Sequence, residues 1–198
     1  MKRATAMQNL FINEIFYSLQ GEGIRAGTAN IFIRLSNCNL ECVFCDTEFT
    51  SGKNYSINEL QEHLQQYPCK NIIWTGGEPT LQLTAEIIAI FKDLGYYQAI
   101  ETNGSNRIPE GLDFVCCSPK VAEHVLRKKV KRVNELRYVR NHTQSLPIPM
   151  IESEHYYLSP QCDGDKINYK NLEHCINLIK ENPTWKLSIQ QHKIWKIQ

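Results

Sequence analysis

Short runs rich in apolar, β-branched and aromatic residues recur along the chain, at Ile31 to Leu35, Ile72 to Thr75, Gln98 to Thr102, Phe114 to Cys117, Asn134 to Val139, Tyr156 to Ser159 and Lys186 to Gln190. Their length and composition predict strands. Between several of them the apolar residues recur at helical spacing. Ser56 and Glu59 form a capping-box signature, and Ile57, Leu60, Leu64 and Tyr67 follow on one face until Pro68 ends the segment. A second stripe of Leu83, Ile87, Ile90, Phe91 and Leu94 stops at Gly95, a residue suited to the left-handed position after a helix. A third candidate helix runs from Tyr169 to Lys180 and stops at Asn182-Pro183. Strands alternating with helices predict βαβ units and a mostly parallel sheet, an α/β fold whose functional groups gather at the C-terminal ends of the strands. No internal repeat, low-complexity tract or Gly/Ser linker interrupts the 198 residues, which predicts one domain.

Composition narrows the function classes. With 42% hydrophobic and 22% charged residues the chain has the apolar content of a globular core, and disorder as its general state is excluded. Lys and Arg number 22 against 21 Asp and Glu, a net charge of +1, so no overall field recruits nucleic acid or an anionic membrane. No stretch reaches the roughly 18 consecutive apolar residues of a membrane span. The start MKRATAMQNLFINEIFYSL carries Asn9, Asn13 and Glu14 where a secretory signal needs an unbroken apolar segment, which predicts a reducing, cytoplasmic setting. In such a setting clustered cysteines read as metal ligands or reactive thiols rather than disulfides.

Three of the eight cysteines are clustered: Cys38, Cys42 and Cys45 follow the Ile31 to Leu35 run in the loop CNLECVFC, a Cys-x3-Cys-x2-Cys spacing. Thiolate is the ligand that iron–sulfur clusters and zinc select. Three thiolates leave a cubane cluster one open iron, whereas a structural zinc site closes with a fourth protein ligand, a distant His or Cys such as Cys69, Cys117, His63 or His155. Both readings are open on spacing alone. Cys69, Cys116, Cys117 and Cys175 have no partner at ligand spacing and read mostly as small buried residues.

The cysteine spacing, followed directly by Asp46-Thr47, resembles the cluster loop of the radical S-adenosylmethionine superfamily. Seven segments narrow the resemblance to the 7-carboxy-7-deazaguanine synthase family: IFYSLQGEG (Ile15 to Gly23), IFIRLSNCNLECVFCDT (Ile31 to Thr47), TGGEPTLQ (Thr75 to Gln82), ETNG (Glu101 to Gly104), SPK (Ser118 to Lys120), LSPQCDG (Leu158 to Gly164) and WKLSIQQHK (Trp185 to Lys193). The implied fold is a partial, open (β/α) barrel with a mostly parallel sheet, in which residues 1–6 form a disordered leader and 7–198 the domain. The implied reaction is a radical ring contraction of 6-carboxy-5,6,7,8-tetrahydropterin to 7-carboxy-7-deazaguanine with loss of ammonia, a step of deazapurine and queuosine biosynthesis. Its cofactors are a four-iron, four-sulfur (4Fe-4S) cluster, S-adenosylmethionine and Mg2+. The resemblance also implies an electron donor such as flavodoxin or ferredoxin and a homodimer, with no membrane or nucleic-acid partner.

The same resemblance assigns site residues. Cys38, Cys42 and Cys45 hold the cluster, and Phe44, Cys45 and Asp46 run along the adenosylmethionine. Gly76, Gly77, Glu78 and Pro79 lie at a strand end beneath its methionine moiety, where glycines admit close backbone approach and Glu78 can accept from an ammonium. Ser118, Pro119 and Lys120 make a second contact, and Ser159, Pro160 and Gln161 complete the adenosine pocket, although Gln161-Cys162 stands where the family more often has Met-Asp. Leu19, Gln20, Gly21 and Glu22 meet the pterin edge; Thr75 serves both ligands; Thr47 helps hold Mg2+. Arg34 meets the substrate, with an ion pair inside the sheet as the alternative. His192 and the terminal Gln198 reach the substrate from the end of the chain. Glu101 is a secondary candidate for the cofactor ribose or amine, and the basic stretch from Arg127 to Arg140 reads as a solvated face or dimer rim. Two other classes share the cysteine loop: a radical activase acting on a partner protein, and a zinc or iron–sulfur scaffold module.

Overall fold

A computed structural model describes residues 9–43, 45 and 47–198. The leader, Phe44 and Asp46 lie outside the described residues. The strands are β1 (Leu10–Leu19), β2 (Ala29–Leu35), β3 (Lys53–Tyr55), β4 (Asn71–Gly76), β5 (Tyr97–Thr102), β6 (Phe114–Cys117), β7 (Arg132–Arg140), β8 (Glu152–Pro160) and β9 (Trp185–Leu187). The helices are α1 (Ile57–Leu64), α2 (Ala85–Asp93), α3 (Glu123–Lys129), α4 (Tyr169–Glu181) and α5 (Gln191–Trp195). All nine described strands form one sheet in the order β3-β1-β2-β4-β5-β6-β7-β8-β9. From β2 onward every pairing is parallel, while β1 runs antiparallel to both β2 and β3. The sheet is open between β3 and β9, so the architecture is the mostly parallel, unclosed α/β arrangement that the sequence predicts.

The helix signals act as expected where they were strongest. At α1 the Glu59 amide donates to Ser56 Oγ at 3.3 Å and the Ser56 amide to Glu59 Oε2 at 2.8 Å, closing the capping box. Gly95, after α2, has φ +78°. The strand β1 is absent from the sequence expectation, and its register explains why. The pairing with β2 shifts between Ile12 and Glu14, so Leu10 and Ile12 are buried on one phase and the alternation breaks at Asn13. β9 is also shorter than the Lys186 to Gln190 run: after Leu187 the chain bends away toward α5.

Two apolar clusters fill the fold. Ile31, Ile33, Ile72, Trp74, Ile87 and Phe91 belong to one beneath α1 and α2, and Leu126, Leu136, Leu158, Cys175 and Trp185 to the other beneath α3 and α4. Cys116, Cys117 and Cys175 are buried, as expected for small apolar residues, and Cys69 is half-buried. The stretch from Arg127 to Arg140 corrects the expectation of a single solvated face. Arg127, Lys128 and Lys129 end α3 in solvent, but Arg137 lies within β7 at 3% exposure.

Candidate active site

The parallel strands bring their C-terminal ends to one side of the sheet, and two adjoining clefts open there, of about 490 Å³ and about 790 Å³. They share Glu22, Thr47, Thr75, Glu101 and Gln190 as a common wall. Cys38, Cys42 and Cys45 line the smaller cleft.

The cysteine loop leaves β2 and is fastened to the end of β4. The Gly77 amide donates to Leu35 O and the Glu78 amide to Asn37 O, each at 2.9 Å. A Cβ on Gly77 would stand 2.0 Å from Asn37 O, and one on Gly76, whose φ is +116°, 2.2 Å from Leu35 O. These contacts are to backbone, so only glycines let the two segments lie this close. Within the loop the Cys45 amide donates to Cys42 O at 3.0 Å, and Asn103 Nδ2 lies 3.9 Å from Cys38 Sγ. Burial pushes the Cys42 thiol up, the Lys120 ammonium draws it down, and Cys45 and Cys38 add to the rise. Among the described residues no group of three His, Cys, Asp or Glu converges on a single ion. Cys69, Cys117, His63 and His155, named as fourth ligands for a zinc site, do not line this cleft, whereas Cys162 does, on the wall at the end of β8. Three separated thiols beside an open cleft fit a multinuclear cluster, in which each thiolate takes a different iron.

Around the same cleft, Lys120 Nζ donates to Ser118 Oγ at 2.9 Å, and Ser118 Oγ donates to Arg137 O at 2.9 Å. Ser159, Pro160, Gln161 and Cys162 form the wall at the end of β8. Pro119 lines neither cleft. Glu78 departs from the expectation of a free acceptor for an ammonium. It is fully buried, lines neither cleft, and accepts from Thr102 Oγ1 and the Asn103 amide, each at 2.7 Å, and from Thr80. Its carboxylate therefore ties the end of β5 to the turn after β4.

The larger cleft collects Leu19, Gln20, Gly21, Glu22, Arg34, Thr47, Thr75, His192 and Gln198, the residues that the resemblance assigns to the substrate and Mg2+. Arg34 shows both of its readings. Its Nε pairs with Glu14 Oε1 across the β1–β2 ladder at 2.7 Å, while Nη1 stands 3.5 Å from Thr47 Oγ1 on the cleft. Glu14 Oε2 in turn accepts from Gln198 Nε2 at 2.6 Å, and Ser18 Oγ donates to Gln198 O at 2.5 Å, which fixes the chain end on β1. The short helix α5 closes the cleft from the far side of the open sheet. The Gln191 amide donates to Gly21 O at 2.9 Å, and His192 packs so tightly that a Cβ on Gly21 would lie 2.2 Å from its Nδ1.

Sequence reasoning missed the group beneath the common wall. Arg137 Nη1 donates to Glu22 Oε2 at 2.9 Å, Nη2 pairs with Glu101, and Nε lies 3.6 Å from Glu135 Oε1. Gln20 Nε2 donates to the other Glu101 oxygen at 3.0 Å. A signal was present: Glu135 and Arg137 are alternate residues of a strand in the middle of a parallel sheet, so they face the same side and must be paired there.

Comparison with known proteins agrees with this geometry. The Radical SAM superfamily model matches residues 32–142. A 7-carboxy-7-deazaguanine synthase of Bacteroides thetaiotaomicron is 37% identical over 188 residues, covering 94% of this chain and 98% of its own. One from Haemophilus influenzae is 38% identical over 203 residues, covering 96% and 95%. The crystal structure of QueE from Escherichia coli superposes with a TM-score of 0.70 at 24% identity, covering 94% of this chain and 97% of that one, a likeness of fold. On the identity shared with these relatives over nearly the whole chain, and on the superfamily match across the cysteine loop and strands β4 to β7, the chain belongs to the 7-carboxy-7-deazaguanine synthase family of the radical S-adenosylmethionine superfamily.

Proposed function

We propose that this chain converts 6-carboxy-5,6,7,8-tetrahydropterin into 7-carboxy-7-deazaguanine with loss of ammonia, as a lyase of deazapurine and queuosine biosynthesis. The observation that carries the reading is the pair of clefts with one wall between them: one holds three thiols, and the other is lined by hydrogen-bonding groups and an arginine. When bound, the cluster and S-adenosylmethionine supply the radical chemistry, and the protein supplies orientation and insulation.

Cys38, Cys42 and Cys45 are the thiolates that would hold the cluster. Lys120, Ser118, Ser159 and Gln161 offer donors and acceptors to the adenosylmethionine, and Gly76 and Gly77 let it approach the backbone. On the other side, Gln20, Glu22 and Thr75 meet the polar edge of the pterin, and Arg34 its carboxylate. The Phe16 and Phe32 rings, stacked 4.9 Å apart, line the same cleft. His192 on α5 covers the ring and helps exclude water. Thr47 lies on the wall itself, where its hydroxyl can join substrate oxygens around Mg2+, a cation that prefers oxygen ligands. The reading includes an electron donor such as flavodoxin or ferredoxin, a homodimer and a cytoplasmic setting; none of the described helices is long and apolar enough to cross a membrane.

The test is anaerobic reconstitution with iron and sulfide, followed by dithionite, S-adenosylmethionine, Mg2+ and 6-carboxytetrahydropterin. Mass spectrometry should find 7-carboxy-7-deazaguanine. Deoxyadenosine formed without that product would discard the substrate and favour a radical activase, and failure to assemble an iron–sulfur cluster would discard the radical reading.

A further inference from the structure

Arg137, the centre of the ion cluster at the common wall, has no role in the reading so far. Arg137, at 3% exposure, collects three carboxylates from three separate parts of the fold: Glu22 from the loop after β1, Glu101 from the end of β5, and Glu135 from its own strand. Glu22 and Glu101 are also the carboxylates that face both clefts. Burial works against the charge on Arg137, but Cys116, Glu101, Glu22 and Glu135 outweigh it and hold the guanidinium firmly protonated. A buried ion cluster is seldom more stable than an apolar replacement of the same shape, so stability alone does not account for it.

The geometry points to Arg137 as a positioning residue of the active site. Its two terminal nitrogens each take one cleft carboxylate, so a single planar fork sets the separation and direction of Glu22 and Glu101. Held in this way, the two cleft carboxylates present oxygen acceptors to the amino and ring N–H groups of a pterin. Glu135 extends the grip to the loop, accepting from the Ile24 amide at 2.9 Å, and a Cβ on Gly23 would stand 2.1 Å from its Oε1. Arg137 thus fixes the Gln20 to Ile24 segment, which carries the pterin contacts, while itself lining the smaller cleft and not the pterin cleft.

This inference rests on the proposed pterin site, and the test separates the two. Reconstituted wild-type protein, Arg137→Lys, Arg137→Met and the exposed control Arg132→Met are titrated by calorimetry with 6-carboxypterin and, separately, with S-adenosylmethionine. Arg137→Met should weaken pterin binding by about tenfold or more, the cost of misplacing one charged hydrogen bond, and adenosylmethionine binding, whose cleft Arg137 also lines, by a clearly smaller factor. Arg137→Lys keeps the charge and loses the fork, so it should recover part of the pterin affinity; it carries the test if Arg137→Met fails to fold. Arg132→Met should bind both ligands as wild type does. Equal weakening of both ligands, or unchanged pterin affinity in both Arg137 variants, would overturn the positioning role alone. A wild-type protein that binds no pterin would overturn the functional reading and this inference with it.

Discussion

Gly77→Ala places a methyl group where the cysteine loop meets β4, and the structure gives the size of the effect. The new Cβ would lie 2.0 Å from Asn37 O, 2.5 Å from Asn37 C and 3.0 Å from the Cys38 amide nitrogen. None of these atoms belongs to a side chain that can rotate away, so the loop must move by more than an ångström. Overpacking of this kind costs about 1–3 kcal/mol. The movement also strains the two hydrogen bonds at 2.9 Å, from Gly77 and Glu78 to Leu35 O and Asn37 O, worth about 1 kcal/mol each. The sum of about 3–5 kcal/mol corresponds to a fall in Tm of about 6–20 °C for a domain of this size. Because Cys38 follows Asn37 directly, iron bound per chain after reconstitution should fall as well. Gly27→Ala is the control: unlike Gly77 it has positive φ, +83°, and nothing lies within 4 Å of its Cβ. It should lose about 1–2 kcal/mol from backbone strain and keep its iron. Calorimetric unfolding and iron analysis on both variants provide the readout. Wild-type iron content and Tm in Gly77→Ala would refute the claim that this contact sets the loop.

Other perturbations separate the ligands of the two clefts from the scaffold. Arg34→Met should raise the pterin KM by about tenfold or more while leaving uncoupled adenosylmethionine cleavage nearly unchanged; equal effects on both would mark Arg34 as a partner of Glu14 alone. Thr47→Ala should raise the Mg2+ concentration needed for half-maximal turnover, and an unchanged Mg2+ titration would remove Thr47 from the metal site. Ser56→Ala removes the α1 cap far from either cleft and should cost about 1 kcal/mol, a Tm decrease of about 2–4 °C, with kcat unaltered.

Much of this architecture was legible in the chain because the parallel strands are buried on both faces and appear as short continuous apolar runs. The capping box of α1 and the glycine after α2 marked helix ends through local geometry that tertiary packing left intact. β1 escaped because a bulge at Asn13 shifts its alternation by one residue, so no single period fits the segment. The motifs located both clefts, but not which of their charges face inward. Glu78 sits in the most recognisable motif and is consumed by Thr80, Thr102 and Asn103, whereas Arg137 sits in what reads as a basic surface stretch and is the hub of the wall. Residue type along a strand does not reveal which partners two other segments bring to it, because Glu22 and Arg137 are 115 positions apart.

The account turns on one arrangement, two ligands on opposite sides of a wall made by Glu22, Thr47, Thr75, Glu101 and Gln190. A crystal structure of the anaerobically reconstituted protein with S-adenosylmethionine and 6-carboxypterin tests it most directly. The cluster should sit on Cys38, Cys42 and Cys45, with adenosylmethionine between it and the wall beside Ser118 and Lys120. The pterin should lie across the wall, its carboxylate toward Arg34 and its ring under His192. A cluster held by other residues, or a pterin bound away from the Arg34 cleft, would contradict the account.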